Sequence, residues 1–201
     1  MESLYEDLWD QLPTGLKPYE FARRREFLLA GLTTSDRMLD LGCGEGDFAA
    51  VAADVCDLVV AADIATGALE RARQRHPDLD LRIVAPHGPF EFDDGSFTVV
   101  WASEVLEHVA DTARWLSEVR RILAPGGRLL ITTPFHGRIS LATTALRGSQ
   151  QLLDPVGQHL RYYTASSLRL LLEDFAFGEI DVRASGGPPL FRHMLLARAA
   201  R

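Results

Sequence analysis

No run of about 18 uninterrupted apolar residues occurs in the 201-residue sequence, and its first thirty residues interleave charged and apolar positions. Neither a membrane span nor a secretory leader is therefore expected, and the expected location is the cytoplasm. Lysine is nearly absent, with one lysine beside twenty arginines, and the formal charge is -7. A nucleic-acid surface needs a basic excess to neutralise phosphates, so no nucleic-acid partner is expected. The single basic run, Arg23 to Arg25, reads as the solvated face of a helix. Cysteine is limited to Cys43 and Cys56, which form no C-x-x-C pair. That excludes a disulfide framework and points to no structural zinc site, and no other metal is expected. Internal repeats and linker-like stretches are also missing, so residues 1–201 read as one domain.

The apolar residues, 47% of the chain, fall in a regular rhythm. "DRMLDL" (36–41), "LVVAAD" (58–63), "LDLRIVA" (79–85), "FTVVWAS" (97–103) and "GRLLITTP" (127–134) read as strands, the last after the turn "APGG". "DFAAVAADV" and "IATGALERARQRH" have helical spacing. In "DTARWLSEVRRIL", Trp115, Leu116, Val119, Ile122 and Leu123 share one helical face behind Asp111 as N-cap. Strands alternating with helices imply βαβ units, hence an α/β, Rossmann-like, doubly wound and mostly parallel sheet. The rhythm breaks over 135–163, with helical spacing around 139–150. "TASSLRLLLEDF" then reads as a capped helix, and "FGEIDVRA" and "LFRHMLLAR" as an antiparallel edge pair enclosing "SGGPP".

In such a sheet, ligands bind beyond the carboxyl ends of the strands. The first such loop is "LDLGCGEGDF" (39–48). A dinucleotide fold places a third glycine five positions after the first, so that pyrophosphate can rest on the helix N-terminus. Here that slot holds Asp47. With Asp40 and Glu45 it surrounds the turn with carboxylates, which repel pyrophosphate and favour a cationic ligand. Asp63 ends the second strand, where a carboxylate can accept both hydroxyls of a ribose. A nucleoside with a cationic tail and no phosphate meets both requirements, and S-adenosylmethionine has that chemistry. Glycines let its methionyl and ribosyl part approach the backbone.

"MLDLGCGEG", "FDDGSFTVVWASEVLEHV" and "VRRILAPGGRLLITTP" resemble, in order and spacing, motifs of the class I S-adenosylmethionine-dependent methyltransferases, in particular their small-molecule, quinone-biosynthesis-like branch. The likeness covers residues 36 to 134, and "HLRYYTASSLRLLLEDFAF" (159–177) is similar to the family's C-terminal segment. The resemblance implies that Asp40, Gly42, Cys43 and Gly44 meet the methionine end of the cofactor, Asp63 the ribose and Ile64 the adenine. Glu104 and Val105 would line the methyl-donating side. Where the family often has an acid near the adenine amino group, this chain has Pro86 followed by His87. Where it commonly has aspartate after the phenylalanine of "GSF", this chain has Thr98, a difference that reads as structural. "ASEV" stands where enzymes that methylate nucleic-acid bases carry "DPPY" or "NPPY", and the paired acids of metal-dependent catechol methyltransferases are missing.

The implied reaction is methyl transfer to an oxygen, nitrogen or carbon of a small molecule. Because the sulfonium leaves readily, positioning and desolvation carry much of the catalysis. A protonated acceptor still needs a base, for which histidine is suited. His108 follows Glu104 by four residues, and His159 and Tyr163 belong to the segment expected to cap the pocket. Residues 1–30, with Tyr5, Trp9 and Tyr19, and residues 135–165 are expected to form lid and substrate segments around a monomer or homodimer. Two other readings use the same loop: a non-catalytic S-adenosylmethionine-binding module, and an NAD-dependent oxidoreductase, which Asp47 disfavours.

Overall fold

A computed structural model describes Trp9, residues 13–135, Gly137 and residues 159–201. The helical spacing around 139–150, Tyr5 and most of both expected lid segments lie outside the described residues.

Helix α1 (Phe21–Leu29) precedes strand β1 (Arg37–Leu41), followed by α2 (Asp47–Ala53), β2 (Leu58–Asp63), α3 (Thr66–Arg75), β3 (Asp80–Ile83), β4 (Phe97–Ser103), α4 (Thr112–Ile122), β5 (Leu123–Pro134), α5 (Ala165–Asp174), β6 (Gly178–Ser185) and β7 (Met194–Ala200). The strands form one sheet in the order β3-β2-β1-β4-β5-β7-β6. β1 to β5 run parallel, and β7 inserts antiparallel between β5 and β6. The strand order reverses at β1 and β4, which opens a crevice beyond their carboxyl ends.

Alternation along β4 shows why these strands read as continuous apolar runs. Val99 and Trp101 pack with Phe27 and Leu28 of α1 and Phe48 of α2. Val100 and Ala102 pack on the other face with Trp115, Leu116 and Val119 of α4 and Leu168 and Leu172 of α5. Both faces are buried, so both parities must be apolar. Asp111 caps α4 by accepting the Arg114 N–H at 3.0 Å, and Thr164 caps α5 in a reciprocal box with Ser167.

Two boundaries depart from the sequence reading. Leu123, expected on the helix, begins β5 and pairs with Phe97, and the register shifts before Val99 meets Arg128. The intervening "APGG" is thus an irregularity within the strand. Leu190 and Phe191 are exposed in a 3-10 turn (Pro189–Phe191) ahead of β7. Proline at its start favours that turn over a paired strand.

Candidate active site

The loop after β1 is tied to β2 by the Gly42 and Cys43 N–H groups, which both donate to the Ala62 carbonyl. Gly42 has φ +83° and Gly44 φ +54°. A Cβ on Gly42 would stand 2.4 Å from Val105 Cγ2, and one on Gly44 3.0 Å from the Trp9 indole. Both glycines keep backbone exposed to the crevice where no side chain fits. Asp63 is fixed at the end of β2: its Oδ2 accepts the Gly44 N–H at 2.9 Å and its Oδ1 the Ala65 N–H at 3.0 Å.

The end of β4 supplies the opposite wall. Glu104 has φ +57°, an uncommon conformation for a non-glycine residue, and its Oε1 accepts the Thr132 hydroxyl at 2.9 Å. Ser103 joins this network through Thr132 at 2.8 Å and receives Arg24 Nη1 at 3.0 Å. The next turn, Leu106–His108, carries Glu107 and His108. Glu107 is buried, with Oε2 accepting the Thr133 hydroxyl at 3.0 Å and Oε1 lacking a hydrogen-bond partner. Burial, and then the nearby Glu104 charge, push its carboxyl well above the ordinary range.

One cavity brings together Gly42, Gly44, Asp63, Ile64, Pro86 and His87 with Glu104, Val105 and His108. Trp9 and Trp115 also line it. A second, adjoining cavity is lined by Cys43, Trp9, Lys17, Tyr19 and Arg24. Trp9 therefore stands between the two, above Gly44. Asp40 lines neither cavity. It lies beneath the loop, 1% exposed, where burial and then Asp63 raise its carboxyl to about 8. His159 is exposed and stands against His108, the ring centroids 4.9 Å apart. Tyr163 is buried in the core rather than set at the pocket rim, because its backbone bridges Phe135.

The acids of the loop divide into two groups. Glu45 accepts the Gly15 N–H and pairs with Arg71 and Arg75, while Asp47 pairs with Arg75 and Lys17. Although burial works against it, Arg75 and Lys17 hold the Asp47 carboxyl below its ordinary range. These two charges are compensated by protein cations, and Asp40 is raised toward its neutral form, so the loop presents less negative charge than its sequence suggests. The Cys43 thiol is pushed well up by burial and then Asp63, and Cys56 to about 11, so neither is a reactive thiolate.

Arg24 corrects the reading of the basic run as solvated. It is 4% exposed, lines the second cavity, and its Nε has no hydrogen-bond partner. The available signal was spacing: Phe27 and Leu28 follow by three and four residues, which places Arg24 on the apolar face of α1. Thr98 is structural as expected, donating to Asp36 at 2.7 Å and accepting the Arg37 N–H.

A glycine loop, a fixed carboxylate at the end of the second strand and a positive-φ acid after the fourth line one crevice of a doubly wound sheet. The family described as "Methyltransferase domain" matches residues 13–178. The chain belongs to this family. It is 36% identical over 143 residues to a probable S-adenosylmethionine-dependent methyltransferase of Mycolicibacterium smegmatis, covering 70% of this chain and 51% of that protein. It is 33% identical over 168 residues to a ubiquinone biosynthesis O-methyltransferase of Dinoroseobacter shibae, covering 80% and 67%. Several curated relatives are thus about twice the length this chain spans. Among solved structures, the [4+2]-cyclase SpnF superposes with a TM-score of 0.73 at 19% identity, over 95% of this chain and 84% of that one.

Proposed function

We propose that the protein transfers a methyl group from S-adenosylmethionine to an oxygen, nitrogen or carbon of a small molecule. The observation that carries this reading is Asp63. Its carboxylate accepts the Gly44 and Ala65 N–H groups beside a loop whose glycines admit no side chain, which fixes it at the end of the second strand, where a ribose would lie. Ile64, Pro86 and His87 continue the wall on the adenine side. Arg24, with its unpartnered Nε, is assigned to the carboxylate of the methionine end.

When bound, the cofactor supplies an electrophilic methyl group on a sulfonium. The chain's own part is to orient the acceptor and exclude water, and Val105, Val109 and Trp115 give that end of the cavity apolar walls. His108 lines the same cavity as Glu104 and is placed to take a proton from an acceptor hydroxyl or amine. His159 stands behind it and completes the rim. Residues 1–30 and 135–165 are proposed as lid and substrate segments of one domain, acting on a small molecule in the cytoplasm as a monomer or homodimer. The acidic charge argues against nucleic acid, and no helix among the described residues is long and apolar enough to cross a membrane.

SpnF, named as a cyclase, has the same fold, so fold alone does not decide the reaction. Calorimetric titration with S-adenosylhomocysteine and with NAD, followed by a screen of small acceptors with methyl-labelled S-adenosylmethionine, decides it. Binding of the first ligand alone and label transfer to an acceptor are expected. Preference for NAD would overturn the cofactor assignment, and cofactor binding without transfer to any acceptor would leave a binding module.

A further inference from the structure

We infer that Glu107, His108 and His159 bind a divalent transition-metal ion of the zinc or cobalt class at the rim of the cofactor cleft. One ligand atom from each of the three residues can be chosen so that all lie within 4.8 Å of one another. Glu107 and His108 are neighbours on a single turn, and the fold holds His159 against them. The Leu160 and Arg161 N–H groups both donate to the Glu107 carbonyl, at 2.9 and 3.2 Å. The Arg161 guanidinium adds bonds to the Val109 and Ala110 carbonyls. The segment entering α5 is therefore fastened to the turn that carries the other two ligands.

The second observation is the Glu107 carboxylate itself. Its side chain is 1% exposed and one oxygen is satisfied by Thr133, but Oε1 has no hydrogen-bond partner. A buried polar atom left this way is costly and calls for an explanation. Oε1 stands 3.8 Å from His108 Nε2, beyond hydrogen-bond reach. Two ligands about 2.1 Å from a tetrahedral ion stand about 3.4 Å apart, so a small rotation of the exposed His159 and of His108 closes the site.

Two imidazoles and one carboxylate suit zinc and its neighbours, whereas magnesium and calcium prefer oxygen-only sets. Three protein ligands leave at least one position open. Because His108 lines the cofactor cavity, that position faces the acceptor. This role rests on the methyl-transfer reading, although ion binding does not. With the ion bound, an acceptor hydroxyl held there would become more acidic and lose its proton to solvent, whereas in the ion-free protein His108 keeps the role of base.

Chelator-treated protein titrated with Co²⁺ tests the inference through the visible absorption of the bound ion. Saturation at about one ion per chain, displacement by Zn²⁺, and at least about tenfold weaker binding in His159→Ala and Glu107→Gln are expected. His159 is exposed, so its replacement leaves the core intact. Absence of the absorption band, or binding unchanged in His159→Ala, overturns the site. S-adenosylhomocysteine titration of the same samples separates the two readings: its loss with Co²⁺ binding intact rejects only the cofactor assignment, and the reverse rejects only the metal.

Discussion

Asp63 and Arg24 line two adjoining cavities, and the roles proposed for them at the two ends of the cofactor are separable by chemistry. Removing the Asp63 carboxylate deletes the ribose acceptor and leaves the Gly44 and Ala65 N–H groups without their partner. Asp63→Ala is therefore expected to weaken S-adenosylhomocysteine by about 1 to 3 kcal/mol, the range for a hydrogen bond to a charged group. Unchanged affinity in a folded variant would remove Asp63 from the site. Arg24→Met keeps the apolar stem against α2 while deleting the guanidinium, and is expected to cost about 1.5 to 3 kcal/mol toward the same ligand. Methylthioadenosine, which lacks the amino-acid carboxylate, should bind wild type and Arg24→Met alike. An equal loss for both ligands would make Arg24 a packing residue, held for Ser103 alone.

The loop between β1 and α2 depends on α3. Arg71 and Arg75 lie one turn apart on that helix and reach back to Glu45 and Asp47, whose side chains are 6% and 4% exposed. Arg75 is partly exposed, and Glu45 and Asp47 each keep a second cation, so Arg75→Ala is expected to destabilise the fold by about 1 to 2 kcal/mol in urea titration. A loss under about 0.5 kcal/mol would show that Lys17 and Arg71 suffice. This clamp was not legible in the sequence, where Glu45 and Asp47 read as charges facing a ligand. Gly42, Gly44 and Asp63 were legible, because a strand followed by a tight turn places its next residues at the crevice wherever the helices lie. The central strands were legible for a related reason, both faces being covered. Arg24 and the approach of His159 to His108 depend on how distant segments dock, which local spacing does not encode. The same limit hid the start of β5, since only pairing with Phe97 shows that Leu123 has left the helix.

Across the whole molecule, buried acids are treated differently at the two ends of the sheet. At the end away from the crevice, Asp36 accepts from Thr33, Thr98 and Arg128. Although burial works against it, these contacts hold its carboxyl below the ordinary range. Its contribution is present above the unfolded-state value and is lost as pH falls through the lower folded value. At the crevice end Asp40 is raised from 3.8 to about 8 by burial and then Asp63. Between those values the folded chain binds a proton that the unfolded chain has released, so this contribution, complete below the unfolded value, is lost as pH rises through the folded one. The slope approaches about 1.4 kcal/mol per pH unit for one proton. The ligand-free protein is thus expected to lose several degrees of thermal midpoint between about pH 5 and pH 8, at about 2 to 4 °C per kcal/mol for a chain of this size. Asp40→Asn keeps the shape but cannot ionise, so its profile should fall less steeply by about one proton's worth. Parallel profiles for the two proteins would mean that Asp40 is ionised in the folded state, and that the crevice carries its negative charge before any cofactor arrives.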